Sequence, residues 1–111
     1  MKRLDSNPKA DGFRMPGEFE PHRGCYMIWP ERPGSWCYGA KYAREVLQNI
    51  IFELAKREEV YVLASENAYD SALSMLKKSD GTNSSLCEHI HIIKGESDDA
   101  WARDVGPTFV V

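Results

Sequence analysis

Apolar positions fall in short blocks along this chain, and the period changes from block to block. Residues 25–29, Cys-Tyr-Met-Ile-Trp, form a short apolar run closed by Pro30, which predicts a buried strand. Over residues 40–57 the period becomes helical. Ala43, Val46, Leu47, Ile50, Ile51 and Leu54 define one apolar face there. Lys56 and Arg57 fall in the last turn of that predicted helix, where cations suit the macrodipole. Residues 60–64, Val-Tyr-Val-Leu-Ala, are apolar and partly β-branched, so they predict a second buried strand. Asn67 stands where it can cap a second helix running to Lys78, with Tyr69, Ala72, Leu73 and Leu76 facing inward. Residues 79–85 are polar, contain Gly81 and read as a surface loop. Residues 89–94 predict a third strand and residues 108–111 a fourth. Two strand–helix–strand crossovers in succession predict an α/β fold with parallel pairing.

The remaining segments are connectors. Residues 1–14 are polar and read as a flexible N-terminal arm, leaving residues 15–111 as one α/β unit. Residues 15–22 hold two prolines and a glycine and are expected to be irregular and extended. Residues 31–39 form a loop that carries Trp36 and Tyr38. A chain of 111 residues is one domain at most. The chain stops within an apolar Phe-Val-Val run, so it is expected to be a piece of something larger.

Bulk composition removes several function classes. A net charge of -3 supplies no basic footprint for nucleic acid and only a weak attraction for cationic partners. No apolar run approaches the length of a membrane span. Lys2 and Arg3 are followed by polar residues rather than an apolar signal core, so a cytoplasmic location is expected. The cysteines Cys25, Cys37 and Cys87 are odd in number and irregularly spaced, which suits free thiols in a reducing compartment. Cys25 sits in an apolar run, where a buried thiol is inert, and none of the three is expected to be catalytic.

One run resists explanation by packing. Ser97-Asp98-Asp99-Ala100-Trp101-Ala102-Arg103-Asp104-Val105-Gly106-Pro107-Thr108 follows the third predicted strand and gathers three carboxylates, one guanidinium and one indole. Loops on a rigid scaffold are where binding groups usually lie. An aspartate accepts two parallel N–H bonds from a guanidinium, and an indole face attracts a cation. The run therefore reads as a guanidinium-binding corner. The plainer reading has Arg103 pair with Asp98, Asp99 or Asp104 and merely fix a turn. Cys87-x-His89-x-His91 invites a metal reading, because residues two apart on a strand share a face. Its spacing matches no common zinc site, and the two histidines are expected on the polar face of the strand, with no metal site assigned. His22 is expected to order a loop. Tyr26, Trp29, Trp36 and Tyr38 are expected as core and rim aromatics.

Three stretches together resemble one family. Met15-Pro16-Gly17-Glu18-Phe19-Glu20-Pro21-His22, then Met27-Ile28-Trp29-Pro30-Glu31-Arg32, then Asp99-Ala100-Trp101-Ala102-Arg103-Asp104-Val105-Gly106-Pro107-Thr108 resemble, in order, the opening of the agmatine deiminases. These are guanidino-group-modifying enzymes of the pentein superfamily. The resemblance implies a partial pentein α/β-propeller, about one ββαβ-type module plus the start of another. It implies a hydrolase that converts agmatine and water to N-carbamoylputrescine and ammonia in putrescine and polyamine biosynthesis, without a cofactor. In that family a cysteine thiolate attacks the guanidinium carbon, a histidine serves as general acid/base, and carboxylates hold the guanidinium nitrogens. Carried over by resemblance, Asp104 binds the guanidinium, Trp101 lines the substrate pocket and Arg103 supports the site. The family's glycine-rich cysteine segment and mid-chain histidine have no counterpart here. No catalytic residue is therefore assigned within these 111 residues. The chain resembles roughly the first third of such an enzyme and alone is expected to be inactive and to self-associate. The alternative from another class is a non-catalytic α/β module that binds cations or a partner.

Overall fold

The structure is a computed structural model and describes residues 3–77, 84–97, 100–106 and 108–111. Strand β1 (Gly24–Ile28) leads through a short 3-10 turn (Cys37–Ala40) into helix α1 (Lys41–Ala55). Strand β2 (Glu59–Ala64), helix α2 (Tyr69–Leu76), the single turn α3 (Ser84–Cys87), strand β3 (Ile90–Lys94) and the single turn α4 (Ala102–Val105) follow. The strands form one sheet in the order β1-β2-β3, and both pairs are parallel. The expected α/β architecture with parallel pairing is therefore present.

The sheet buries one face. Val60, Val62 and Ala64 alternate inward along β2 and meet Ile90 of β3, Ile51 and Ala55 of α1, and Ala68, Ala72 and Leu76 around α2. That set, closed by Trp29, is the core. Polar side chains lock the helices at their edges. Arg44 Nε donates to the Pro30 carbonyl at 2.9 Å, and Gln48 Nε2 donates to the Met75 carbonyl at 2.5 Å. On the opposite sheet face, Tyr26, Tyr61 and His91 stand in register across the three strands. Their rings stack at 5.0 and 4.9 Å between centroids, and Phe109 extends the ladder beyond Tyr26 at 5.4 Å.

Several sequence expectations need correction. Helix α1 exposes part of its predicted apolar face, because Val46 and Ile50 lie on the side away from the sheet. Lys56 and Arg57 lie beyond the end of α1, and Lys56 instead reaches Glu53 at 2.5 Å. Helix α2 is entered through Ala68 without a side-chain cap, so Asn67 does not cap it. Leu73 is exposed, since an eight-residue helix buries only the Ala72 and Leu76 line against the sheet. Lys78 and most of the predicted 79–85 loop lie outside the described residues, and Ser85 falls in α3. Residues 108–111 are not a strand; their Val111 end and Arg14 exchange backbone bonds of 2.7 and 2.9 Å.

Gly24 shows how closely β1 approaches β2. A Cβ there would stand 2.4 Å from the Glu59 carbonyl oxygen. Gly24→Ala must push the two strands apart and is expected to destabilise the chain by about 1–3 kcal/mol. Urea unfolding of the variant beside the parent measures this, and an unchanged midpoint refutes it.

Candidate functional site

In open parallel sheets, ligands gather outside the carboxyl ends of the strands, because the loops there converge. Three loops do so here. Residues 29–36 and the 3-10 turn follow β1, residues 65–68 follow β2, and residues 95–97 follow β3. Ser65 N–H donates to Glu31 Oε1 at 2.8 Å, tying the first loop to the second. Glu66 N–H donates to Glu96 Oε1 at 3.4 Å, tying the second to the third. The first loop then enters α1 through Tyr38 (φ 55), Gly39 (φ 63) and Ala40 (φ 64). Gly39 adopts this left-handed geometry freely, whereas Tyr38 and Ala40 are strained by about 1–2 kcal/mol each.

The charged run is built on α4. Trp101 precedes its first residue, and the turn closes through Asp104 N–H to the Trp101 carbonyl (3.0 Å) and Gly106 N–H to the Ala102 carbonyl (2.8 Å). Gly106 is required by close approach: a Cβ there would stand 2.5 Å from the Ala102 oxygen. Trp101 is 70% exposed and lines an open apolar groove of about 670 Å³. The groove runs between the β1 edge and the exposed side of α1, with Ile28, Trp36, Val46 and Ile50 along it. Asp104 is exposed and stands outside that groove lining. Its carboxylate has no hydrogen-bond partner among the described residues, so both oxygens are open to a donor. Asp98 and Asp99 lie outside the described residues.

Arg103 bonds to the carboxylate of Glu18, 85 residues earlier in the chain. Sequence reasoning offered only nearby aspartates and missed Glu18. The turn that carries Glu18 is itself held. Arg14 donates to both oxygens of Glu20 at 2.9 and 2.7 Å, and Glu20 accepts from Gly17 N–H at 2.6 Å. These contacts hold the Glu20 carboxyl at about 2, the Arg14 bond first among them. A carboxyl lowered on folding adds stability above its unfolded value of 4.5 and loses it as pH falls through about 2. Glu20→Gln is therefore expected to flatten the pH dependence of stability between those values, read by thermal unfolding at a series of pH values. An unaltered slope there contradicts the Arg14–Glu20 bond.

The histidines are engaged elsewhere. His89 Nδ1 and His91 Nε2 contact the two oxygens of Glu59 at 2.7 and 2.5 Å, and both bonds pull the Glu59 carboxyl down. His22 Nδ1 lies 2.5 Å from Glu58. Cys87 Sγ points to the Leu76 carbonyl instead of joining the two histidines. Among the described residues no group of three or more His, Cys, Asp or Glu is arranged to hold a metal ion. No described helix is long and apolar enough to cross a membrane. Burial first, and then the neighbouring Glu58, raise the Cys25 thiol.

Comparison with known proteins shows what this chain is similar to. Residues 14–111 match the family described as Porphyromonas-type peptidyl-arginine deiminase. The agmatine deiminase of Pseudomonas aeruginosa is 43% identical over 111 residues, which is all of this chain and 28% of that protein. The solved structure described as the agmatine deiminase of Enterococcus faecalis catalysing its reaction superposes with a TM-score of 0.85 at 36% identity. The superposition covers all of this chain and 28% of that one. This chain thus spans little more than a quarter of the length of such relatives and corresponds to their N-terminal portion.

Proposed function

The chain belongs to the Porphyromonas-type peptidyl-arginine deiminase family, and we propose that it is the N-terminal portion of an agmatine deiminase. The complete protein would add water at the guanidinium carbon of agmatine, break one terminal C–N bond and release ammonia and N-carbamoylputrescine. This reading makes the protein a cofactor-free enzyme of putrescine biosynthesis in the cytoplasm, acting on a small molecule rather than nucleic acid or membrane. Its fold would be part of a pentein propeller, with residues 1–14 as an arm and 15–111 as the first portion of the catalytic domain. The observation that carries the reading is the 43% identity, over the whole of this chain, to an agmatine deiminase.

Within these residues the reading assigns binding alone. Asp104 would accept two guanidinium N–H bonds, Trp101 would offer an aromatic wall, and Arg103 would support the turn between them. The nucleophilic thiolate and the general acid/base would come from the portion of a relative-length protein outside these 111 residues. The test is ammonia release from agmatine by such a full-length polypeptide carrying this segment. Turnover supports the assignment, and turnover of a peptidyl-arginine but not agmatine overturns it.

The exposed groove gives this reading a physical consequence. Tyr42, Val46, Ile50 and Trp101 present apolar surface to solvent, and among the described residues β1 and β3 pair with no strand at their outer edges. Uncovered apolar patches and strand edges promote association. The 111-residue chain is expected to self-associate with rising concentration in light scattering. A monomer at millimolar concentration refutes that expectation.

A further inference from the structure

We propose that Glu18 is a positioning residue for the turn at residues 101–104: through Arg103 it fixes where the Trp101 indole and the Asp104 carboxylate stand. The inference rests on the reading of those two residues as the guanidinium corner.

Turn α4 is short and has little of its own to hold it. Among the described residues it closes through the Asp104 and Gly106 N–H bonds, has no side-chain cap, and leaves Arg103 and Asp104 exposed. A single helical turn is marginal without tertiary contacts. Its contact to the rest of the chain through a charged side chain is Arg103 to Glu18. Arg103 lies between the two functional candidates, so restraint on its backbone is restraint on both.

Glu18 is suited to that task because its own turn is fixed. Glu20 N–H closes on the Gly17 carbonyl at 3.0 Å, and the Glu20 carboxylate returns to Gly17 N–H. Arg14 clamps Glu20 from one side and exchanges two backbone bonds with Val111 on the other. The Phe19 ring folds back over Gly17, where a Cβ would stand 2.6 Å from it. The Phe109 ring stacked on Tyr26 brings the chain after α4 back onto the sheet. Contacts therefore run from Val111 through Arg14, Glu20 and Gly17 to Glu18, and from Glu18 to Arg103. Residues 14–20 thus hold the C-terminal segment at two points, Arg103 within α4 and Val111 after it.

Both Glu18 and Arg103 are largely exposed, so the effect of the pair is bounded. A solvent-exposed ion pair changes an equilibrium by about fivefold at most. The experiment is an agmatine titration of the ¹⁵N-labelled 111-residue chain at a concentration where light scattering shows a monomer, followed at the backbone amides, with Glu18→Gln, Arg103→Gln and the double variant. Glu18→Gln is expected to shift the amide signals of residues 101–106 and leave those of Val60 and Val62 in place. It is expected to weaken agmatine half-saturation at Asp104 by about two- to fivefold. The double variant should be no weaker than Arg103→Gln alone, because the two act as a pair. At 1 M salt, where the Debye length is about 3 Å, the ratio between parent and Glu18→Gln should approach one.

Unchanged signals for residues 101–106 in Glu18→Gln overturn the proposal, as do additive losses in the double variant. A parent chain whose Trp101 and Asp104 amides ignore agmatine overturns the guanidinium corner instead. In that case the amide comparison without ligand still decides whether Glu18 holds the turn.

Discussion

Asp104→Asn, made in a polypeptide of the relatives' full length that carries this segment, is expected to cut ammonia release from agmatine by about 100-fold or more. The agmatine guanidinium stays protonated and planar, and it presents paired N–H donors. A carboxylate accepts two of them in parallel; asparagine keeps the shape but loses the charge and one acceptor oxygen. What is lost is mainly alignment of the guanidinium carbon with the nucleophile, and a misplacement of about 1 Å can cost 100-fold. That ratio in kcat/KM corresponds to about 2.7 kcal/mol at the transition state. The exposed Asp104 carboxylate, with no hydrogen-bond partner among the described residues, is free to accept such a ligand.

The 111-residue chain alone is expected to release no ammonia. The Cys25 thiol is pushed up by burial, away from the thiolate. His22 contacts Glu58, while His89 and His91 contact Glu59, so each histidine is engaged by a carboxylate. A nucleophile needs an adjacent base to prepare it, and among the described residues no histidine contacts a cysteine. Ammonia assay of the short chain, the full-length polypeptide and its Asp104→Asn variant measures all three expectations. Turnover by the short chain, or near-normal turnover by Asp104→Asn, removes the corresponding assignment.

The strands and long helix were legible because their signals are periodic and local. The run at residues 60–64 buries Val60, Val62 and Ala64 in alternation, as a β-branched segment with one covered face must. The chain order of strand, helix and strand was enough to expect parallel pairing, and both strand pairs are parallel. Ends were less legible, because they depend on what caps them. Asn67 has the right chemistry for a cap, yet the α2 turn begins at Ala68, where no side chain is used. Residues 108–111 have strand composition, but among the described residues they join no strand of the sheet, and Val111 instead meets Arg14 through backbone bonds.

At the candidate site, residue type was legible and partnership was not. Trp101, Arg103 and Asp104 stand out by composition in a twelve-residue window. That Arg103 takes Glu18 depends on contacts across 85 residues, for which a single sequence carries no distance information. Glu59 between His89 and His91 is the same case: the pairing follows from β2 lying beside β3, not from spacing. Both misses concern acceptors supplied by another element, while the donors were recognised.

Ile51→Ala and Val46→Ala test the division of α1 into two apolar sides. The helical spacing of apolar residues puts both on one broad face, although positions five apart on a helix stand about 140° apart around the axis. The sheet divides them: Ile51 is 0% exposed against the core, and Val46 is 59% exposed along the groove. Truncating a fully buried isoleucine removes its transfer free energy and leaves a cavity, an expected cost of about 2–5 kcal/mol. The core is small, and domains are stable by only about 5–15 kcal/mol, so Ile51→Ala should bring the chain close to unfolding. Val46→Ala should stay within about 0.5 kcal/mol in the isolated chain. Urea unfolding at low protein concentration, below any association, separates the two. Equal costs would mean that α1 packs in another rotation. In a relative-length polypeptide the Val46 cost becomes informative in turn. If further chain covers the groove there, Val46→Ala should become measurably destabilising while the Ile51 cost stays as it is.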